Sequence, residues 1–174
     1  LGNVVHPKTL VDEFGVEAVR YFFLREIPSH GDGDYSSARM EERYAELANQ
    51  LGNLVSRVAA MAQKYFEGQL DESVMDWSST RTTLESHMHA YDMRSYLDAV
   101  FEVVAQANNL TDKKAPFKLM KEDPAAAKAV LSELAEMIRF VGQALAPMLP
   151  QTSAEILRRY GKVILVGEPL FPRR

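Results

Sequence analysis

The sequence predicts an all-α fold: a bundle of about five helices, preceded by a small α segment and followed by a short extended tail. Three observations carry that reading. Apolar residues recur at helical spacing through 38–66, 84–114 and 123–150. Prolines stand at the edges of such runs, at 7, 28, 116, 124 and 150, where they start or stop helices without breaking them. The connections between runs are short, which favours antiparallel neighbours.

In chain order, 2–28 opens with a short extended piece. Pro7 suits a first helical turn, so "PKTLVDEF" reads as a short helix stopped by Gly15. "VEAVRYFFLRE" (16–26) has apolar residues at 16, 19, 22 and 23 and ends at Pro28. "SHGDGDYSS" (29–37) has the composition of a loop. Ser36 or Ser37 can cap the next helix, with Glu41 or Glu42 in reach of a capping interaction. That helix runs from Ala38 to about Phe66, interrupted in propensity by Gly52 and stopped at Gly68.

Residues 69–83 read as a polar linker holding Trp77. A helix follows over 84–114, with a break expected near Tyr91–Asp92 and an end forced by Pro116. Asp123 and Pro124 open a helix that runs to about Leu145. "PQTSAEILRRYG" (150–161) is a last short helix closed by Gly161, and 162–174 is an extended tail. There is no internal repeat and no low-complexity tract.

The bulk numbers exclude several classes. A chain of 174 residues suits one domain, or one domain with a small appendage. At this size roughly 70% of the unfolded surface can be buried without staples. With no cysteine there is no disulfide framework and no thiolate metal site, which fits a reducing compartment. No apolar run approaches the roughly 18 residues of a membrane helix. No signal peptide is seen, and the chain begins at Leu1 where a start would be Met, so a missing N-terminus is expected. A net charge of −4 excludes a uniformly basic nucleic-acid binder but not a local patch.

One such patch is legible in "LANQLGNLVSR" (47–57). Leu47, Leu51, Leu54, Val55 and Val58 make a buried face, while Asn49, Asn53 and Arg57 make a second face four residues apart. A solvated face would read the same way, but it normally mixes charge signs, and this row carries no acid. Gly52 inside the run costs about 1 kcal/mol relative to alanine, and such a glycine usually admits another backbone or a ligand. Carboxamides and guanidinium groups suit base edges and phosphates.

"NNLTDKKAPFKLMKED" (108–123) holds a second candidate, Phe117 at a proline break among Lys113, Lys114 and Lys118. It reads either as a core ring fixing the turn or as a stacking platform with cationic flanks. "GDGDYS" (31–36) alternates Asp and Gly, yet no glutamate completes a calcium loop, so a structured turn is expected. Its carboxylates would suit the N-terminus of the long helix. His6, His30, His87 and His89 do not form a metal set, and no catalytic constellation or nucleotide-binding motif is present.

The run "LGNVVHPKTLVDEFGVEAVRYFFLREIPSHGDGDYS", followed by "RYAELANQLGNLVSR", resembles the C-terminal half of bacterial-type methionyl-tRNA synthetases, and "GEPLFPRR" is similar to the end of their core. The resemblance covers nearly the whole chain and is weakest over 69–90. It implies three parts: 1–35 as a stem-contact segment of the catalytic half, 36–161 as a helical anticodon-binding domain, and 162–174 as the tail. In that family "LGN" directly follows the ATP-binding loop, so a fragment lacking the catalytic motifs is expected. Such a fragment holds no cofactor; the full-length ligase would use ATP and Mg2+.

The resemblance also implies a role for the polar row. Asn53 and Arg57 match the "NLxxR" residues that contact the first anticodon base, a cytosine, with Asn49 one turn earlier on the same face. Pro116–Phe117 match a Pro-Trp pair whose ring stacks on that base; phenylalanine offers the stacking face without an indole N–H. Ala107–Asn108 match an "AN" pair, and the usual aromatic two positions on is Leu110 here.

The expected partners are the CAU anticodon loop of methionine tRNA and the catalytic domain of the same chain, in the cytoplasm and away from membranes. Two alternatives stand beside this: a helical protein-docking module of the same ancestry, and the anticodon domain of another class I synthetase such as the cysteinyl one. A docking surface has no need of the Asn53/Arg57 pair, and the cysteinyl family should lack "GDGDYS…LGNLVSR".

Overall fold

The apolar run after Asp123 becomes the axis of the molecule. The computed structural model describes residues 5–28 and 33–172. Its elements are α1 (Pro7–Phe14), α2 (Val16–Glu26), α3 (Ser37–Glu46), a π turn (Leu47–Gly52), α4 (Asn53–Phe66), α5 (Ser78–His89), α6 (Met93–Lys114), α7 (Pro116–Glu122), α8 (Pro124–Leu145) and α9 (Pro150–Arg159). The Asp123 carboxylate accepts the Ala126 N–H at 2.9 Å and Pro124 fills the first turn of α8. Leu131, Leu134, Ala135, Ile138, Val141 and Leu145 are buried around much of its circumference, so α4, α6, α7 and α9 all pack on it.

The fold is all-α, with a single isolated bridge, Tyr160 to Ile164, among the described residues. The first two helices share the core of the bundle through Leu10, Phe14, Ala18, Val19, Tyr21 and Phe22. Glu17 of α2 reaches the start of α9 and accepts the Gln151 and Thr152 N–H groups at 3.1 and 2.8 Å. A carboxylate there satisfies two donors that the first turn leaves over. Arg25 of α2 pairs with Glu46 of α3 and Asp98 of α6, both at 3.0 Å, and Arg43 pairs with Glu26 at 2.9 Å.

The run expected as one helix over 38–66 is a continuous rod with the π turn at its middle. It stops where expected, with Glu67 and Gly68 both left-handed at φ 53° and 75°. Ser36 occupies the cap position of α3 without a side-chain hydrogen bond.

One boundary differs. The stretch expected as linker to residue 83 is already helical from Ser78. Trp77 stacks flat on Phe140 of α8, ring centroids 4.1 Å apart, and fixes the point where α5 begins. Leu84 is the one buried residue on α5, so no apolar period marks its first turns. The break expected near Tyr91–Asp92 is present: Tyr91 takes φ 55° and the Asp92 carboxylate caps α6 through Ser95 N–H at 3.0 Å.

The extended tail is a strap. Ile164 is buried and donates its N–H to the Gly68 carbonyl at 2.9 Å. Further on, Phe171 is buried edge-on to Tyr44, whose hydroxyl donates to the Pro172 carbonyl at 2.8 Å. Residues 2–4 of the opening piece, His30, and Gly31 and Asp32 of "GDGDYS" lie outside the described residues.

Candidate nucleic-acid interface

The polar row begins on the π turn. The Asn53 N–H bonds back five residues to the Ala48 carbonyl, one residue further than in an α-helix. Leu47 and Leu51 are buried on either side of the widened turn and hold it to the core. Gly52 is buried too. A Cβ there would meet the Leu47 carbonyl at 3.4 Å and the Phe171 backbone nitrogen at 3.9 Å. Both are ordinary van der Waals distances, so an alanine would fit here, and what faces this position is the chain's own tail.

Asn49 is exposed, and Asn53 and Arg57 are half-buried. Asn49 lines a shallow groove of about 410 Å³ with Glu42, Arg43, Glu46 and Gln50. The row has no acid of its own, but α6 supplies one: Arg57 Nη2 lies 3.3 Å from Asp112 Oδ1. The side chains are 37% and 70% exposed, so the pair is worth no more than about 1 kcal/mol. It holds the guanidinium in place, and a ligand can replace it at small cost.

Asn108 stands one turn before Asp112 on the same helix. Its Nδ2 donates to the Gln50 carbonyl of the π turn at 3.1 Å and to its own Val104 carbonyl at 3.0 Å. Thus α6 meets the row at Arg57 and the π turn at Gln50.

At the end of α6 the chain reverses through Ala115, left-handed at φ 43° and ψ 62°. Proline at the next position disfavours the α region for Ala115, and a non-glycine residue there costs roughly 1–2 kcal/mol. Pro116, the first residue of α7, is buried at the break. Phe117 points outward instead, 46% exposed, with Lys118 Nζ 5.8 Å from its ring centre. Lys113 and Lys114 are exposed in the last turn of α6.

The structure therefore sets Arg57 of α4 against Asp112 of α6 and ties Asn108 to the π turn that the Asn53 N–H closes, while Asn49 opens onto the groove beside α3 and Phe117 stands exposed where α6 gives way to α7. The sequence reading missed Asp112. Its place four residues after Asn108 on a helix was the available signal.

Among the described residues no group of His, Asp or Glu is placed to hold a metal ion, and no helix is long and apolar enough to cross a membrane. His6 caps α1 through the Lys8 N–H at 3.3 Å.

Comparison with known proteins divides the chain within α4. Residues 1–59 match the family model for class I tRNA synthetases (M), and residues 59–163 match that for the anticodon binding domain of methionyl tRNA ligase. The methionine–tRNA ligase of Caldanaerobacter subterraneus subsp. tengcongensis is 35% identical, over 92% of this chain and 27% of its own length. That of Streptococcus pyogenes serotype M1 is 33% identical, over 99% of this chain and 31% of its own length. The Mycobacterium tuberculosis methionyl-tRNA synthetase in complex with methionyl-adenylate superposes with a TM-score of 0.86 at 26% identity, over 99% of this chain and 40% of that one. The chain thus spans less than a third of the length of these two curated relatives.

Proposed function

This chain belongs to the methionyl-tRNA synthetase family, and on that premise we propose that it reads the CAU anticodon of methionine tRNA. The observation that carries the reading is a guanidinium held at the surface in a weak, exchangeable pair with Asp112, on the helix that leads into the exposed Phe117 ring. A base in an anticodon loop is unstacked and can be splayed out. Phe117 supplies the stacking face, worth about 1–3 kcal/mol per base.

Cytosine presents acceptors at N3 and O2 on its pairing edge. Arg57 and the Asn53 amide supply donors to them, and the amide oxygen can accept a hydrogen bond from the exocyclic amine. Lys113, Lys114 and Lys118 steady the phosphates, few enough to suit a chain of net charge −4.

The catalytic half of the full-length ligase would bind ATP with Mg2+ and charge the acceptor end with methionine in the cytoplasm. Residues 1–35 would then set the offset between that half and the bundle. Glu17 on the α9 terminus and Arg25 between α3 and α6 give the joint a fixed geometry.

The test is a titration at stated moderate salt against two labelled stem-loops, one with CAU and one with only the cytosine replaced by uracil. Tighter binding to CAU supports base reading. Equal, strongly salt-dependent binding would reduce the site to backbone contacts and defeat the proposal.

A further inference from the structure

We propose that Asn108 is a positioning residue for base reading, acting through the π turn and not through the RNA; this rests on the reading of the site given above. The π turn inserts one residue into the rod relative to an α-helix, which rotates everything after it by roughly 100° about the helix axis. Asn53 sits at the exit of the turn, and its N–H makes the five-residue bond to Ala48 that defines it. The direction in which Asn53 and Arg57 point is therefore set by whether this turn keeps its wide register.

Three contacts hold the turn. Glu46, the residue before it, is shared by Arg25 at 3.0 Å and Arg43 at 2.6 Å. The tail covers its buried side at Gly52. On the solvent side the support is Asn108, whose Nδ2 holds the Gln50 carbonyl at 3.1 Å.

Its second Nδ2 contact, to Val104 one turn back, fixes the amide plane so that the first can form. Both Nδ2 protons are engaged by backbone carbonyls, so Asn108 has no donor to spare for a base. The same helix carries Asp112 against Arg57 one turn later and leads into Phe117. Asn108 thereby ties the hydrogen-bonding half of the site to the stacking half.

The experiment uses this chain with CAU and UAU stem-loops and reads two quantities, the affinity ratio and the hydrogen exchange of the Asn53 amide. Asn108→Leu keeps size and helix propensity and removes the donors. The expected result is a tenfold or larger fall in the CAU/UAU preference and a similar loss of Asn53 protection. Affinity for UAU and helix content should hold.

Preference and protection both unchanged overturn the role. So does lost preference with intact Asn53 protection, which would place Asn108 against the RNA. In the unaltered chain, whatever the variant's stability, the Asn108 side-chain amide resonances should keep their positions on CAU binding while those of Arg57 move. A large Asn108 shift overturns the proposal. Arg57→Ala separates the layers: preference surviving that change refutes the base-reading site itself, whereas preference lost there but kept in Asn108→Leu refutes only the role of Asn108.

Discussion

Arg57 of α4 and Asp112 of α6 face each other at 3.3 Å, one turn after Asn108 on α6 meets the π turn. An arginine held by an exposed carboxylate is ordered before any ligand arrives, and it gives up that partner cheaply. If it reads the anticodon cytosine, Arg57→Ala should weaken CAU binding by about 1–3 kcal/mol. Unfolding stability should move by less than about 1 kcal/mol. Stem-loop titration and thermal melting check the two halves; unchanged affinity removes Arg57 from the interface.

Asp112 brings a negative charge to the surface proposed to meet the anticodon-loop phosphates. Asp112→Asn should therefore raise affinity for CAU and UAU loops alike, with a gain that shrinks as salt rises. Titrations at low and high salt check this. A gain independent of salt would mean that the carboxylate acts on the base and not on the backbone.

Phe117 separates stacking from packing because it is 46% exposed while Pro116 before it is buried. Phe117→Ala should lose about 1–3 kcal/mol of loop affinity and leave the melting temperature nearly unchanged. Phe117→Trp should bind more tightly through its larger ring. An early-melting alanine variant with full affinity would return the ring to the core.

Most of the fold was legible because its signals are local. Asp123, Pro124 and the apolar period state α8 outright, and Gly68 and Pro116 state two helix ends. The start of α5 was not legible, because Trp77 on Phe140 is a contact across 63 residues and the first turn of α5 is serine and threonine.

The polar row was read from spacing alone, and spacing showed neither the π turn nor Asp112. Both depend on α6 lying alongside, with Asn108 on Gln50 and Asp112 on Arg57. The role of Pro116 as the buried member of the corner, with Phe117 the outward one, was likewise set by packing on α8.

Acid stability should carry a contribution from Glu155. Hydrogen bonds from Arg158 and then Arg159 hold its carboxyl down at about 2 against an ordinary 4.5. A carboxyl with its folded value depressed stabilises the fold above the unfolded value, so the contribution is present above about pH 4.5 and is lost as pH falls toward 2. The group is well solvated, so its size is no more than about 1 kcal/mol. Melting temperature followed from pH 6 to 2.5 should fall less steeply in Glu155→Gln; parallel curves would show the pairs to be silent.

Glu17 offers the sharpest structural prediction, because one carboxylate joins the first helices to the last. It is buried, and its two oxygens accept the Gln151 and Thr152 N–H groups of α9. Glu17→Gln keeps one acceptor and turns an NH2 group toward an N–H donor. One bond and the charge–dipole attraction at the helix N-terminus are lost together. A buried donor left over costs about 1–3 kcal/mol, which lowers the melting temperature of a domain this size by several degrees. Glu17→Ala, which leaves both donors without the carboxylate, should fall further. Below the melting transition the CAU/UAU preference should persist in Glu17→Gln, since no described contact of Glu17 reaches the α4–α6 surface. A variant that melts like the parent would show that α9 is capped from elsewhere. One that keeps its stability but loses base preference would instead make this joint part of the reading site.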